Sequence, residues 1–235
     1  MSNSKQTYKI YPSNERGQAN HGWLKSKHTF SFADYYNPHC IGFRTLKVIN
    51  QDVVAPLGGF ATHAHKDMEI FSYVLEGELA HKDSLGNERI LKPGEVQLMS
   101  AGSGITHSEF NPSDTKILHF LQIWILPNQN ELQPSYSEWK QGDDKAKSLL
   151  ISPCGSKGSA TINQDAYVYR IKMNKDEIIS HELNKNRGAW FQLIAGSVTI
   201  CNEVIHAGDA FSTETDGILE IKANETVEGL LFDLA

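Results

Sequence analysis

Residues 72–100 of the chain read SYVLEGELAHKDSLGNERILKPGEVQLMS, and they give the clearest indication of the fold class. Runs of β-prone residues alternate here with short groups of turn-forming residues. The tetrapeptide SLGN at 84–87 contains a Gly-Asn pair, and KPGE at 92–95 contains a proline that restricts one backbone angle. Both are typical of tight connections between antiparallel strands. The same alternation of β-prone runs and turn-forming groups extends from about Leu46 to Leu126 and predicts an antiparallel sandwich or barrel.

A second stretch, FQLIAGSVTICNEVIHAGDAFST at residues 191–213, repeats this order of apolar run, glycine, strand, turn, glycine and strand. Gly77 matches Gly196, and Gly94 matches Gly208. Self-similarity at this scale indicates a duplicated structural unit. The sequence therefore predicts an all-β chain of two similar domains in tandem.

A polar stretch between Pro127 and Ser148 separates the two β-rich halves. Within it, SYSEWK at 135–140 is the segment that favours a helical turn. We therefore expect an N-terminal domain over residues 1–128, a linker with a short helix over 129–147, and a C-terminal domain over 148–235.

Composition excludes several classes of partner. The formal net charge is −6, and neither sign of charge forms a long block that would bind nucleic acid or an anionic membrane directly. The three cysteines, Cys40, Cys154 and Cys201, are widely spaced, which fits a reducing compartment. The polar start and the absence of a long apolar run predict a cytoplasmic protein, and we expect a monomer.

Two pairs of metal-binding residue types stand out in the first half. His63 and His65 are two residues apart, so on a strand both side chains project from one face, and His107 and Glu109 repeat that spacing. Facing strands would combine them into a cage of three imidazoles and one carboxylate. Spacing leaves an alternative open, because Asp67 and Glu69 would continue the face of the first pair if no bulge intervened.

Imidazole nitrogen and carboxylate oxygen together suit one divalent transition metal ion such as iron, nickel, copper, zinc, manganese or cobalt. The pattern offers no thiolate that would favour a closed structural zinc site. Water or a substrate would fill the remaining coordination positions.

The remaining histidines and aromatic residues are predicted to have ordinary structural roles. His81 and His119 are placed outside the ligand set, and His21, His28 and His39 are expected at the surface, although their segment could fold over a pocket mouth. Core packing is expected for eight aromatic residues that would otherwise suit a cleft for a planar ligand: Trp23, Phe30, Phe32, Phe43, Phe60, Phe71, Phe110 and Phe120.

The second half lacks an equivalent ligand set. Counted back from Gly196, the positions matching His63 and His65 hold Glu182 and Asn184. His181 and His206 stand alone in sequence, so a second metal site is not expected.

The motifs resemble those of the cupin superfamily. Its first motif is matched in order by Gly58, His63, His65, Glu69 and Gly77. Its second motif is matched by Gly94, Gly102, His107 and Asn111, with Ser100 where that motif has proline. More narrowly, three stretches resemble the pirin family and pirin-like bacterial quercetinases: GWLKSKHTFSFADYYNP at 22–38, GFATHAHKDMEIFSYVLEGELAHKDSLGN at 59–87 and LMSAGSGITHSEFNP at 98–112.

The resemblance implies a bicupin, with two tandem antiparallel β-barrels of the jelly-roll type and metal in one half alone. It assigns the ligands to His63, His65, His107 and Glu109 and leaves Glu69 as a supporting group. Fe(II) is the ion that it favours.

The resemblance also implies a function, a quercetin 2,3-dioxygenase that opens a flavonol with O2 and releases carbon monoxide. Glu109 would then accept the proton of the flavonol hydroxyl, whose pKa a bound cation lowers. The alternative that the resemblance offers is an iron-dependent redox-sensing regulator that acts through a protein partner, without turnover.

Overall fold

A computed structural model describes residues 7–140 and 145–235, and nearly all of its regular structure is β-strand. The strands of the first part of the chain are β1 (Tyr8–Tyr11), β2 (Gly17–Asn20), β3 (Leu24–His28), β4 (Leu46–Val54), β5 (Gly59–His65), β6 (Glu69–Glu76), β7 (Leu79–Asp83), β8 (Glu88–Leu91), β9 (Val96–Ser100), β10 (Ile105–Phe110), β11 (Leu118–Ile125) and β12 (Ser135–Trp139). Those of the second part are β13 (Lys147–Ser152), β14 (Ala160–Thr161), β15 (Ala166–Met173), β16 (Ile178–Leu183), β17 (Gly188–Ala195), β18 (Ser197–Ile200), β19 (Glu203–His206), β20 (Ala210–Thr213), β21 (Gly217–Ala223) and β22 (Val227–Leu234). Two short 3₁₀ helices lie at Ser13–Glu15 and Ser156–Gly158.

The chain forms two compact units. The N-terminal unit contains residues 16–140 and 153–164, and the C-terminal unit contains residues 7–15, 145–152 and 165–235. The predicted domain limits at 128 and 148 follow the chain continuously, whereas each compact unit gathers segments from separate parts of it. Residues 141–144 of the predicted linker lie outside the described residues.

Each unit is a sandwich of two antiparallel sheets, and the strand orders correspond. In the N-terminal unit the larger sheet has the order β12-β9-β6-β11-β4-β3-β2 and the smaller one β5-β10-β7-β8. In the C-terminal unit the matching orders are β1-β20-β17-β22-β15-β13 and β16-β21-β18-β19. Gly77 and Gly196 have nearly the same backbone angle, φ +77° and +80°. The duplication that the sequence predicts is therefore confirmed, as is the all-β bicupin fold.

Both predicted tight turns are present, but the first is a hairpin and the second is not. The backbone N–H of Gly86 donates to the carbonyl of Asp83 in the first, and that of Glu95 donates to the carbonyl of Lys92 in the second. The first turn joins β7 to β8, which pair antiparallel. The second leads from β8 in the smaller sheet to β9 in the larger one, so the prediction of a hairpin at 92–95 is wrong.

The predicted linker helix is wrong, because Ser135–Trp139 forms the edge strand β12. It pairs antiparallel with β9 from Ser135 opposite Ser100 to Trp139 opposite Val96. So short a helix would be marginal on its own, whereas pairing with β9 satisfies the backbone and buries Trp139 to 6% exposure. No helix among the described residues is long and apolar enough to span a membrane.

Apolar side chains fill the space between the two sheets of each unit. In the C-terminal unit one cluster includes Phe191, Phe211 and Leu231, all fully buried. In the N-terminal unit a smaller apolar cluster around Val74, Leu79 and Phe120 occupies one part of the sandwich interior. Polar side chains occupy another part of the N-terminal interior, and the candidate site lies there.

Candidate metal centre

Three histidines converge on the inner face of the smaller sheet of the N-terminal unit. β5 and β10 pair antiparallel with His63 opposite His107. The ring centroid of His107 lies 4.5 Å from that of His63 and 5.0 Å from that of His65. One ring nitrogen of each of the three lies within 4.8 Å of the others. Strand periodicity therefore places the three imidazoles as the sequence predicts.

An irregularity in β5 adjusts the position of this group. His107 pairs with His63, but Glu109 pairs with Phe60, so β5 contains one extra residue across this interval. Such bulges redirect side chains next to functional sites. The ring of His63 is also oriented by a hydrogen bond of 2.8 Å from its Nδ1 to the carbonyl of Ala61. Because a carbonyl only accepts, Nδ1 carries a proton, and in the neutral imidazole the lone pair is then on Nε2.

Several nitrogens in this group are buried without a hydrogen-bond partner among the described residues. They are Nε2 of His65 and both ring nitrogens of His107. Burial, reinforced by the neighbouring histidines, lowers the pKa of His65 to about 4 and that of His107 to about 3. Both rings are thus neutral, and a neutral imidazole with a free lone pair is the form that binds a metal ion. The site fits a divalent cation.

Glu109 is held from the larger sheet by three donors. Ser72 Oγ donates to its Oε1 at 2.8 Å, Gln122 Nε2 donates to its Oε2 at 2.9 Å, and Gln97 Nε2 lies 3.4 Å from Oε1. Ser72 of β6 pairs with Gln122 of β11 on one side and with Gln97 of β9 on the other. The carboxylate, 1% exposed, therefore extends from the smaller sheet toward a polar row on the larger one. Sequence reasoning missed these three supporting residues.

His81 forms a second cluster with His107 and Glu109, also with ligand atoms within 4.8 Å. Both nitrogens of His81 have partners, however. Gln97 Nε2 donates to its Nδ1 at 3.0 Å, and its Nε2 lies 3.4 Å from Asp83 Oδ2. The two clusters share His107 and its unpartnered nitrogens; among the described residues His65 adds a further unpartnered nitrogen to the first cluster, whereas His81 adds none to the second.

The alternative carboxylates, Asp67 and Glu69, do not continue the face of β5. The strand ends at His65, the chain turns with Asp67 at φ +49°, and β6 begins at Glu69. Glu69 Oε2 accepts a hydrogen bond of 2.7 Å from Ser100 Oγ, and Asn163 Nδ2 lies 3.3 Å from Oε1. Glu69 belongs to neither of the two metal-binding clusters among the described residues.

A cavity of about 910 Å³ opens beside the histidines, with His63 and His65 in its wall. The expectation of core packing is wrong for Trp23 and Phe32, which line this cavity, and for Phe110, which is 39% exposed. Phe60 lines the cavity and also packs against the apolar cluster of the N-terminal unit. Phe30, Phe71 and Phe120 are buried in the core as expected. The cavity wall also includes residues without an earlier role or expected at the surface: Tyr35, Trp124, His21 and His28. β3 contributes His28 to this wall, and the segment between β3 and β4 contributes Phe32 and Tyr35.

Asp52 of β4 is a buried carboxyl group in the same cavity wall, 2% exposed. Burial raises its pKa to about 7 against an ordinary 3.8. The hydrogen bond from Ser26 and the charge of Arg16 lower that pKa, and the charge of Glu109 raises it further. Proton binding to Asp52 is therefore coupled to folding.

This coupling predicts a pH-dependent stability that Asp52→Asn removes. Between pH 3.8 and about 7 the folded metal-free protein holds a proton on Asp52 that the unfolded chain has lost, so its stability falls as pH rises. Across this interval the free energy of unfolding of the wild type should fall by about 2–4 kcal/mol relative to that of the variant. Urea denaturation of both proteins at a series of pH values measures the difference, and parallel pH profiles would contradict it.

The C-terminal unit has no equivalent cluster of metal-binding residues in its described part. His181 of β16 is buried, with its Nε2 2.9 Å from Asp233 Oδ2 and its Nδ1 2.8 Å from Lys147 Nζ. His206 is exposed at the end of β19. These contacts occupy the histidine that lies closest to the equivalent position.

Comparison with known proteins places this architecture in a family. Residues 10–125 match the family model described as Pirin, and residues 149–234 match the model of the quercetinase C-terminal cupin domain. The chain is 47% identical over 221 residues to quercetin 2,3-dioxygenase of Escherichia coli strain K12, covering 94% of this chain and 96% of that protein.

Two solved structures show the same fold along nearly the whole chain. The crystal structure of YhhW from Escherichia coli has a TM-score of 0.95 at 45% identity, and the two chains are covered to 97% and 98%. The bacterial pirin YhhW in complex with nickel(II) has a TM-score of 0.94 at 46% identity, with 97% and 99% covered. Together with the matched family models, these similarities show that the chain belongs to the pirin family.

Proposed function

We propose that the protein is a metal-dependent dioxygenase that opens flavonols such as quercetin with O2 and releases carbon monoxide. The observation that carries this proposal is the group of neutral, unpartnered imidazole nitrogens beside a cavity of about 910 Å³. A cavity of this size is ample for a planar three-ring compound, and aromatic side chains in its wall suit such a ligand. The relative that is 47% identical carries the name quercetin 2,3-dioxygenase.

The proposed ligands of the ion are His63, His65, His107 and Glu109, and Fe(II) is the proposed physiological ion. A related bacterial pirin binds nickel(II), so the donor set is not restricted to iron. Support for the three histidines comes from their convergence, and support for Glu109 comes from its place in a cluster with His107. His81 remains outside the proposed set because Gln97 and Asp83 occupy its nitrogens.

A bound cation would lower the pKa of a coordinated flavonol hydroxyl and so favour the flavonolate, which reacts with O2 more readily. The side chains of this protein have separate tasks around that chemistry. The hydrogen bond to Ala61 fixes the ring of His63 with Nε2 toward the site, and Ser72 and Gln122 hold the Glu109 carboxylate. Glu109 is also the proposed acceptor of the hydroxyl proton.

Aerobic incubation of the metal-loaded protein with quercetin tests the proposal. We expect loss of the flavonol absorption band with release of carbon monoxide, and we expect His63→Ala to reduce the rate at least about 100-fold, since it removes a metal ligand. Trials with iron, nickel, copper, manganese and zinc cover the ions that the donor set admits. Absence of metal-dependent loss with every ion would overturn the dioxygenase proposal and favour the regulatory alternative.

The Glu109→Gln variant separates the two tasks proposed for Glu109 within the same assay. If Glu109 accepts the substrate proton, this variant should lose turnover beyond what its change in metal content explains. Turnover per bound metal equal to that of the wild type would leave Glu109 as a ligand alone.

A further inference from the structure

A group of four polar side chains from the larger sheet lines the same cavity as the metal centre. They lie on β3 and β4, and all are at most 5% exposed: Ser26, His28, Asn50 and Asp52. His28 pairs with Asn50 and Ser26 pairs with Asp52 across the two strands. Burial of each of these four polar groups is unfavourable without a partner, so their presence beside an apolar core indicates a function for the group.

Hydrogen bonds within this group orient its members. Ser26 Oγ donates to Asp52 Oδ1 and lies 3.3 Å from His28 Nδ1. His28 Nδ1 lies 2.8 Å from Asn50 Oδ1. With Nδ1 as the donor to the amide oxygen, Nε2 of His28 is an acceptor.

The Asp52 carboxyl is incompletely satisfied by the protein. Among the described residues, Ser26 provides its one hydrogen bond, and no cation forms an ion pair with it. The nearby guanidinium of Arg16 donates instead to Gln51 Oε1 at 2.8 Å and to the carbonyl of Lys27 at 3.1 Å. A carboxyl group that is 2% exposed and lacks a cation partner is more easily explained by a ligand than by stability.

Aromatic side chains connect this polar group with the metal centre. Trp124 packs edge-on against His65, with ring centroids 5.0 Å apart, and against Phe32 at 5.5 Å. Phe32 in turn lies 5.3 Å from His28. The cavity therefore has metal-binding histidines in one part of its wall, hydrogen-bonding groups in another, and aromatic faces between them.

We propose that Asp52, assisted by Ser26 and His28, accepts a hydrogen bond from a phenolic hydroxyl at the end of the substrate remote from the metal centre. The protein would then select polyphenols that carry a metal-binding hydroxyketone and a second, distal hydroxyl. This inference rests on the proposed function, because it defines the substrate class of the same cavity. A site built to bind a hydroxyl discriminates strongly against an analogue without it, since the buried acceptor is left unpaired.

Three flavonols that differ by one hydroxyl test this recognition. They are 3-hydroxyflavone, which carries the metal-binding pair alone, and its 3,7-dihydroxy and 3,4′-dihydroxy analogues, each with one hydroxyl added at a different end. Affinities are measured without oxygen on nickel-loaded protein, so that the readout does not depend on turnover. We expect the wild type to bind one of the two analogues at least about 10-fold more tightly than 3-hydroxyflavone. The favoured analogue identifies the ring that faces Asp52.

At a pH of about 8, where the Asp52 carboxyl is ionised, Asp52→Asn should lower this preference about 10-fold, because a neutral amide is a weaker acceptor than a carboxylate, while Ser26 can still donate to it. Asp34→Asn is the matched control, since Asp34 is an exposed aspartate of the same cavity wall and its removal should leave the preference unchanged. Unchanged preference in Asp52→Asn, equal weakening for all three flavonols, or equal affinities in the wild type would each overturn the inference.

The outcomes also separate this inference from the proposed function. If the wild type degrades all three flavonols and binds them with equal affinity, the dioxygenase proposal stands and the role proposed for Asp52 is overturned. A wild type that neither binds nor degrades any of them would overturn both.

Discussion

The His107→Ala variant is expected to lose nickel(II) binding almost completely. Both ring nitrogens of His107 are buried without hydrogen-bond partners, and the ring belongs to both clusters of metal-binding residues. Loss of a group that merely supports a ligand weakens metal binding about 10–100-fold, so loss of this shared ligand should weaken it more than 100-fold. Titration calorimetry of the metal-free protein with nickel(II) measures the affinity. The rise in melting temperature that nickel produces in the wild type should vanish as well.

His81→Gln is the matched control for this variant, because His81 lies 5.4 Å from His107 between ring centroids and is equally buried. Its nitrogens already bond to Gln97 and Asp83, so we expect this substitution to weaken nickel binding by about 10–100-fold and no more, as for a supporting group. Equal losses in the two variants would place His81 among the ligands. Undiminished binding in His107→Ala would contradict the site itself.

The Gly77→Ala variant should strongly destabilise the fold. Gly77 follows β6 with φ +77°, a conformation that is unfavourable for alanine by about 1–2 kcal/mol. An added Cβ would also lie 2.3 Å from the carbonyl oxygen of Ile117, so the backbone on one side would have to move. We expect a total loss of about 3–4 kcal/mol in the free energy of unfolding, measured by urea denaturation.

Gly86→Ala separates the two contributions to that loss. Gly86 has a similar backbone angle, φ +90°, but an added Cβ would meet no atom within 4 Å. This variant should therefore lose about 1–2 kcal/mol, from the backbone conformation alone. If Gly77→Ala loses no more than Gly86→Ala, the close approach to Ile117 is not a constraint on the fold.

The fold was largely predictable because its signals are local or repeated. The turn at Ser84–Asn87 requires particular residues within four positions, and the match of Gly77 with Gly196 is visible in one chain. The helix predicted at 135–140 was wrong for the opposite reason. Whether five residues with aromatic and polar side chains form a helix or an edge strand depends on a partner, and that partner, β9, lies about 40 residues earlier in the chain.

The candidate metal centre shows the same division. The sequence alone determined the two same-face pairs, since side chains two positions apart on a strand share a face wherever the strand lies. Family resemblance chose Glu109 over Glu69, and the turn after His65 gives a physical reason why Glu69 leaves that face.

Tertiary structure decided what surrounds those pairs. The polar row of Ser72, Gln97 and Gln122 that holds Glu109 comes from three strands far apart in sequence, each of them buried on both faces. These strands therefore lack the usual alternation of apolar and polar residues, and their sequences do not show which residues face the interior of the sandwich. Asp52 likewise reads as one acidic residue in a strand until the pairing of β3 with β4 places it beside Ser26. Strand geometry repeats every two residues and can be read locally, whereas the neighbours across a sheet depend on pairings that only the folded chain establishes.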